Sequence, residues 1–332
     1  MEKRNETTVT QFVLLGFSDH VEHQLFLFIL FLVIYTGTIV GNIIIITLIK
    51  CSSHLHNPMY FFLINLSVLD IGFISVTIPK LLISILSQIN TISFYGCITQ
   101  LFFFITFAGV ECFILTVMAY DRYVAICNPL RYAAVMSRSL CLQLVVICWV
   151  SALSHSVLHS ILTTRLSFCG PNIIHHFFCD MTALLKLACS DITTNEIVIF
   201  AEGPFSVMVP FLLVTVSYIH IISSILKIHS KDGRKKAFST CSSHLTVVAL
   251  FYGTAIFTYF RPSSEYSDYD RVVSLFYTIV APMLNPFIYS LRNNELKKSL
   301  KNLISRKIEL IRDYGNYNAN FVIYLTHCHC SI

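Results

Sequence analysis

The sequence predicts an all-α membrane protein, a bundle of seven transmembrane helices. Hydrophobic residues make up 55% of the 332 positions and charged residues only 12%, whereas about 25% of an ordinary soluble domain is charged. A helix needs about 20 mostly apolar residues to cross the roughly 30 Å hydrocarbon core of a bilayer. Seven stretches of the chain meet this requirement, so a soluble fold is excluded.

Five of the helices are read directly from stretches with almost no charge. The long apolar region 57–120 is too long for one span, and the polar, turn-prone Ser87–Gly96 divides it into two helices. No internal repeat or linker is evident, which favours one membrane domain. The predicted helices are 24–49, 58–82, 97–121, 139–162, 197–224, 237–260 and 272–291.

Positive charge indicates the orientation. Most of the 23 Lys and Arg residues fall between the third and fourth helices, in the segment 227–236 and after residue 291, whereas most acids fall on the opposite face. The positive-inside rule makes the basic face cytosolic. We expect residues 1–23 to form an extracellular tail with a glycosylation acceptor at Asn5. Residues 292–332 form a cytosolic tail, with a short amphipathic surface helix over 294–307.

Four cysteines, Cys97, Cys169, Cys179 and Cys189, lie on the outer face, where disulfides form. Spacing alone leaves their connectivity open. The neighbouring HHFFCD segment, which ends at Asp180, holds residue types that bind zinc or copper, but a disulfide-bonded cysteine does not coordinate as a thiolate. We therefore expect disulfides and no metal site there.

Two acids lie within predicted helices, Asp70 in the second and Glu111 in the third. A charge in hydrocarbon is costly, so each should face the bundle interior with a partner or water. Asn42 and Asn285 complete a polar cluster around either a sodium ion or a purely structural hydrogen-bond network. Pro286 should kink the seventh helix, because proline removes a backbone hydrogen bond.

Five segments together resemble the signature motifs of vertebrate odorant receptors. They are LHNPMYFFLINLSVLD at 55–70, MAYDRYVAIC at 118–127, SYIHII at 217–222, KAFSTCSSHL at 236–245 and PMLNPFIYSLRN at 282–293. The resemblance covers roughly residues 10–305. It implies a rhodopsin-like G-protein-coupled receptor of the plasma membrane in olfactory neurons, which signals through a stimulatory G protein and cyclic AMP.

The resemblance implies a disulfide between Cys97 and Cys179 and another between Cys169 and Cys189; Cys97 with Cys189 is the rival pairing.

The resemblance also assigns an activation switch to the inner ends of the helices. No acid stands at the start of the sixth helix, which leaves Asp121 as the resting partner of Arg122. The switch residues are Asp121, Arg122, Tyr123, Tyr218, Asn285, Pro286 and Tyr289.

The resemblance also places the odorant between the third, fifth and sixth helices, beneath the loop that follows the fourth. Most of the matching positions are apolar or aromatic, which suits a small volatile ligand held by burial and one or two hydrogen bonds. Glu202 either contacts a polar odorant or meets water near the outer interface. The predicted ligand-binding residues are Phe104, Ile105, Ala108, Gly109, Glu202, Ser206, Tyr252, Ala255, Ile256, Tyr259 and Thr278, with Gly203 between them.

Other classes of protein are less well supported. A ligand-gated channel or transporter is the main alternative, because of Asp70 and Glu111, but repeats and broken helices are not evident. No nucleophile-base pair has a recognisable spacing, so we expect no enzyme. A receptor for a metabolite outside the nose stays open. The expected partners are a volatile odorant, a stimulatory G protein and membrane lipids, without nucleic acid, and sodium is the one cofactor considered.

Overall fold

The computed structural model describes residues 9–15, 21–87, 89–170, 172–259, 268–292, 295–303 and 305. Within these ranges the side chains of 21–23, 236, 239, 240, 259, 268–271 and 290–292 are left out. The glycosylation acceptor predicted at Asn5 lies outside the described residues.

Within the described residues, seven helices are long and apolar enough to cross a membrane, as the sequence predicted. The first four helices are α1 (Val21–Cys51), α2 (Pro58–Ser87), α3 (Phe94–Cys127) and α4 (Arg138–Thr164). They are followed by α5 (Thr193–Leu226) and α6 (Lys231–Tyr259). The last, α7, consists of Asp268–Leu275, the π-helical turn Phe276–Val280 and Ala281–Arg292.

The third helix is longer at both ends than the predicted 97–121. Ser93 caps its start, since the serine hydroxyl accepts a hydrogen bond from the backbone N–H of Gly96 at 3.1 Å. The helix then continues to Cys127, about one and a half turns past Arg122. The Asp121–Arg122 pair therefore lies within the helix rather than at its last residue.

The fifth helix is interrupted by a π-helical turn at Pro204–Met208, directly after Glu202. Such turns insert an extra residue into an α-helix and are frequent at functional sites. Pro286 lies inside the helical segment Ala281–Arg292, and the π-helical turn of α7 precedes that segment. The local irregularities of α5 and α7 thus lie toward the outer side of Pro210 and Pro286.

Two hydrophobic clusters fill the bundle. The inner cluster joins α1 to α6 and includes Leu66, Ile114 and Tyr218. The outer cluster packs the upper parts of α2 and α3 against the loop between α4 and α5, and includes Phe73 and Phe178. The polar groups described below lie between these clusters and at the inner end.

A small sheet covers the outer end of the bundle. Strand β1 (Gln11–Leu14) pairs in antiparallel fashion with β2 (Thr91–Ser93) and in parallel with β3 (Ile173–Ile174). Phe12 of β1 is completely buried against Phe168, with ring centroids 5.2 Å apart. The segment before α1, for which the sequence predicted only an extracellular tail, therefore includes a strand of this outer sheet.

The cover is fixed to α3 and to itself by disulfides. Cys97 at the start of α3 is bonded to Cys179, and Cys169 is bonded to Cys189. This is the pairing that the family resemblance implied, and the rival Cys97–Cys189 pairing is excluded. We call the sheet together with the loop 165–192 the outer lid.

Residues 295–303, which follow α7, are helical and lie against the inner end of the bundle. Leu296 is buried in the inner cluster, and the Ser299 hydroxyl lies 3.1 Å from Nε2 of His54. The described part of the helix expected over 294–307 thus contacts the protein through Leu296 and Ser299. Residues from 306 onward, with Cys328 and Cys330, lie outside the described residues.

Candidate functional site

At the inner end of α3, Asp121 holds Arg122. Oδ2 of Asp121 accepts hydrogen bonds from Nη2 of Arg122 at 2.7 Å and from Nε at 3.2 Å. The Asp121 side chain is 1% exposed and that of Arg122 is 15% exposed. The predicted resting partner of Arg122 is therefore the partner found in the structure.

A second donor to Asp121 was not predicted. Tyr132, at the start of the short helix Tyr132–Val135, donates its hydroxyl hydrogen bond to Oδ1 of Asp121 at 2.7 Å. Burial and the nearby Asp121 carboxylate raise the pKa of Tyr132 above its ordinary value, so the phenol stays protonated and remains a donor. Both oxygens of the aspartate are thus occupied.

The predicted switch tyrosines lie close to this pair. The Tyr218 hydroxyl of α5 is 2.8 Å from Nδ1 of His244 in α6, and the two rings stack. The Tyr289 hydroxyl of α7 is buried without a hydrogen-bond partner. Arg122 is among the charged groups that act on both hydroxyls. His244 belongs to the motif KAFSTCSSHL, but the sequence did not indicate a role for the histidine itself.

Mid-membrane polar residues form the cluster that the sequence expected. Nδ2 of Asn285 donates to Oδ1 of Asp70 at 2.8 Å, and Asn42 and Glu111 also interact with Asp70. One oxygen of each of these four residues is buried without a hydrogen-bond partner. Those four oxygens could accept hydrogen bonds from water or coordinate a small cation.

Tyr252 of α6 ties the centre of the bundle together. Its hydroxyl donates to the backbone carbonyl of Cys112 in α3 at 2.9 Å and lies 3.1 Å from the Thr116 hydroxyl. The Cys112 sulfur lies 3.2 Å from the Tyr252 oxygen and 3.2 Å from the carbonyl oxygen of Ser206 in α5, and its single hydrogen can be donated to either. Tyr252 thus joins α6 to α3, and Cys112, which follows Glu111, joins α3 to α5.

The upper residues of the predicted pocket lie under the outer lid. The ring of Phe104 is 4.6 Å from that of Phe178 in the lid and 5.3 Å from that of Phe73 in α2. Ile105 is buried in the same outer cluster, and the Thr278 hydroxyl donates to the Ser274 carbonyl within α7. These side chains are buried below the lid, beside α2, α3 and α7.

The remaining residues of the predicted pocket do not all face the same part of the bundle. Ala108, Ala255 and Ile256 are half-buried, and Ser206 uses its hydroxyl within α5 to bond the Glu202 carbonyl. Gly109 instead faces α4, because a Cβ atom there would lie 3.1 Å from Cβ of Ala152. Gly109 thus allows α3 and α4 to approach closely. The side chain of Tyr259 lies outside the described residues.

Glu202 contacts α4, through two histidines that the sequence did not connect with it. Its Oε2 lies 2.8 Å from Nδ1 of His155 and 3.4 Å from Nε2 of His159. The two partners that the sequence suggested for Glu202 were a polar odorant and water. Four-residue spacing of the histidines along α4 was the signal that could have found them, since such residues share a helix face.

The lid is held down by polar contacts beneath the disulfide. The Cys179 backbone N–H donates to Oε1 of Gln100, and Nε2 of Gln100 donates to the Val76 carbonyl, both at 2.9 Å. Nδ1 of His176 accepts from the N–H of Phe177, while its Nε2 is 3.0 Å from the Ser274 hydroxyl. Both ring nitrogens of His176 are engaged, which argues against metal binding by the HHFFCD segment.

Comparison of the sequence with known proteins identifies its family. The family model described as "Olfactory receptor" matches residues 31–307. Mouse (Mus musculus) olfactory receptor 1E16 is 54% identical over 312 residues, which are 93% of this chain and 99% of the relative. Human (Homo sapiens) olfactory receptor 1C1 is 52% identical over 305 residues, 92% of this chain and 97% of the relative. The chain belongs to the olfactory receptor family.

Proposed function

We propose that the chain binds a small volatile odorant beneath the outer lid and activates a stimulatory heterotrimeric G protein, which raises cyclic AMP. As an olfactory receptor it is a multi-pass protein of the plasma membrane. Its relatives are receptors and not enzymes. The observation that carries the proposal for signal transfer is the position of Tyr252, between the predicted pocket and the inner switch.

The ligand end of the mechanism rests on burial. Phe104, Ile105, Ala108 and Ile256 are apolar neighbours for a ligand, and each Å² of apolar ligand surface removed from water contributes about 25 cal/mol. Volatile molecules are small and mostly apolar, so such a site suits them. A ligand hydroxyl or carbonyl that competes for Tyr252 would weaken the contact between α6 and α3.

The signalling end rests on partner exchange by Arg122. A guanidinium keeps its charge and has five N–H donors, so it can leave Asp121 and bind a partner on the cytosolic side. Movement of α6 would separate His244 from Tyr218 and open the inner face. The basic stretch 227–236 would then meet the G protein or acidic lipid head groups.

A cyclic AMP screen tests this function. Cells that express the receptor at the surface are exposed to a chemically broad panel of volatiles, with an empty-vector control. We expect at least one volatile class to raise cyclic AMP, and Tyr252→Phe, which keeps the ring, to alter the half-maximal concentration. The proposal would be wrong, and a channel would be favoured, if no volatile raised cyclic AMP in cells with the receptor at their surface and the purified protein carried an ion current in a bilayer.

We also propose sodium as an allosteric modulator at the mid-membrane cluster. The unpartnered oxygens of Asn42, Asp70, Glu111 and Asn285 support it, because carboxylate and amide oxygens are ligands for hard cations. Asp70 and Glu111 would hold the ion, and the added charge would compensate two buried carboxylates. The structural alternative is water in the same place.

A further inference from the structure

Two imidazoles and a carboxylate converge between α4 and the outer half of α5. The ligand atoms of His155, His159 and Glu202 all lie within 4.8 Å of one another. His155 and His159 are four residues apart on α4, and their rings are 4.3 Å apart. The two histidines come from one rigid helix, and the carboxylate comes from its neighbour.

The spacing of these atoms is close to that of a tetrahedral metal site. Zinc bonds of about 2.0–2.1 Å to nitrogen and oxygen place neighbouring ligand atoms about 3.4 Å apart. Nε2 of His159 and Oε2 of Glu202 are already 3.4 Å apart. Nδ1 of His155 is 2.8 Å from the same oxygen, and the three ligand atoms lie within 4.8 Å of one another. Entry of an ion therefore needs side-chain movements of about an ångström.

We propose that His155, His159 and Glu202 bind one zinc-class divalent ion that joins α4 to α5, with the fourth position open to water or a ligand. Two imidazole nitrogens and one carboxylate oxygen are a donor set that suits zinc better than the hard ions magnesium and calcium. The inference is independent of the odorant function proposed above.

The surroundings of the site set the expected affinity. The side chains of His155 and Glu202 are 26% and 36% accessible, so neither is enclosed by other side chains of the bundle. Nδ1 of His159 is buried without a hydrogen-bond partner. A hydrogen-bond acceptor for the other ring nitrogen of a ligating histidine commonly improves metal affinity 10- to 100-fold. We therefore expect dissociation constants in the micromolar range rather than those of a structural zinc site.

An ion at this place would act on α5 as well as on α4. Glu202 immediately precedes the π-helical turn Pro204–Met208, and the Glu202 and Ser206 carbonyls accept hydrogen bonds from Ser206 and from Cys112 of α3. Bound zinc would thus fix the residues that lead to the Tyr252 contact. We expect the ion to stabilise the bundle and to be released by chelators.

Direct titration of the purified full-length receptor tests the inference. Zn²⁺ is added in a metal-free buffer and followed by calorimetry, and Co²⁺ is added in parallel because tetrahedral cobalt absorbs strongly in the visible. The background carries Cys328→Ser and Cys330→Ser, since tail thiols bind zinc themselves. The expected result is one ion per chain with a micromolar dissociation constant, and a melting temperature that rises with zinc.

Matched variants decide which residues bind the ion. His155→Gln and Glu202→Gln, both at partly exposed positions, should each weaken zinc binding at least about tenfold, as loss of one of three protein ligands predicts. The control His175→Gln changes an exposed histidine of the outer lid and should leave the affinity unchanged. Absence of zinc binding, or wild-type affinity in folded His155→Gln or Glu202→Gln, would overturn the inference.

Discussion

The outer end of the bundle is closed by covalent bonds and aromatic packing, whereas the inner end is held by hydrogen bonds and an ion pair. Outside, the Cys97–Cys179 disulfide and the fully buried Phe12 and Phe178 fix the lid. Inside, Asp121 holds Arg122 and Tyr218 meets His244. Disulfides and close packing do not exchange partners, but charged and polar groups do.

This difference indicates where the receptor can move. Packed apolar contacts resist small displacements, so a ligand below the lid is held by a fixed roof. The inner contacts, in contrast, are made by charged and polar groups, which could exchange partners with a cytosolic protein that offers acceptors. We infer that binding changes the inner end much more than the outer end.

The largest expected effect is loss of the lid disulfide. Cys97→Ser should destabilise the receptor by about 2–5 kcal/mol, a large fraction of the usual 5–15 kcal/mol of a domain. Surface staining and the melting temperature of the purified protein should both fall. Cys51→Ser, at an exposed free cysteine, is the control. Normal surface level and stability in Cys97→Ser would mean that the outer end does not depend on the bond.

Removal of the switch cation should abolish signalling with less effect on binding. Arg122→Ala deletes the donors that a G protein would meet, so the odorant-induced rise in cyclic AMP should fall at least about tenfold, equivalent to 1.4 kcal/mol. Odorant binding at the outer end should persist. Arg131→Ala, which changes an exposed inner arginine, is the matched control. A normal response in Arg122→Ala would contradict the partner-exchange mechanism.

Loss of the tyrosine donor should loosen the resting state. Tyr132→Phe removes a hydrogen bond to the buried Asp121 carboxylate, an interaction of about 1.5–3 kcal/mol. We expect a roughly tenfold higher active fraction without odorant, measured as basal cyclic AMP. Tyr120→Phe, on an exposed part of α3, should not change it. Equal basal signals in both variants would remove Tyr132 from the switch.

The smallest expected effect concerns sodium. Asp70→Asn keeps the size of the side chain but removes the charge that would hold the ion, so the odorant response should lose its dependence on sodium concentration. The coupling is expected near the lower end of the usual range, about fivefold. The response is measured in sodium and in choline buffers. Equal sodium dependence in wild type and Asp70→Asn, or none in either, would leave water as the occupant.

Much of the architecture was predictable because apolar length, basic loops and short motifs determine it. The seven helices and the outer cysteines follow from neighbouring residues, and the Asp121–Arg122 pair follows from adjacency within one motif. The expectation that no acid stands at the start of the sixth helix was wrong, because α6 begins at Lys231 and has Asp232 in its first turn. Helix bounds were less accurate, as α3 shows, because apolar windows do not reveal where caps such as Ser93 begin a helix.

The missed contacts join segments that are distant in sequence. A membrane helix such as α4 is apolar on its lipid side and on its buried side, so hydropathy does not indicate its rotation. That rotation brings His155 and His159 to Glu202 and places Ala152 against Gly109. Tyr132, which lies in a short helix after α3, contacts Asp121. Strand β1 joins the sheet of the lid by pairing that no local sequence pattern predicts.

Basal signalling of Asp121→Asn tests most directly whether the aspartate holds the inner end at rest. An amide at this position removes the charge that pairs with Arg122 and keeps the shape. The account predicts higher cyclic AMP without odorant in Asp121→Asn at equal surface level, and no such increase when Arg122→Ala is added. Unchanged basal cyclic AMP in Asp121→Asn, or an equal increase in the double variant, would contradict it.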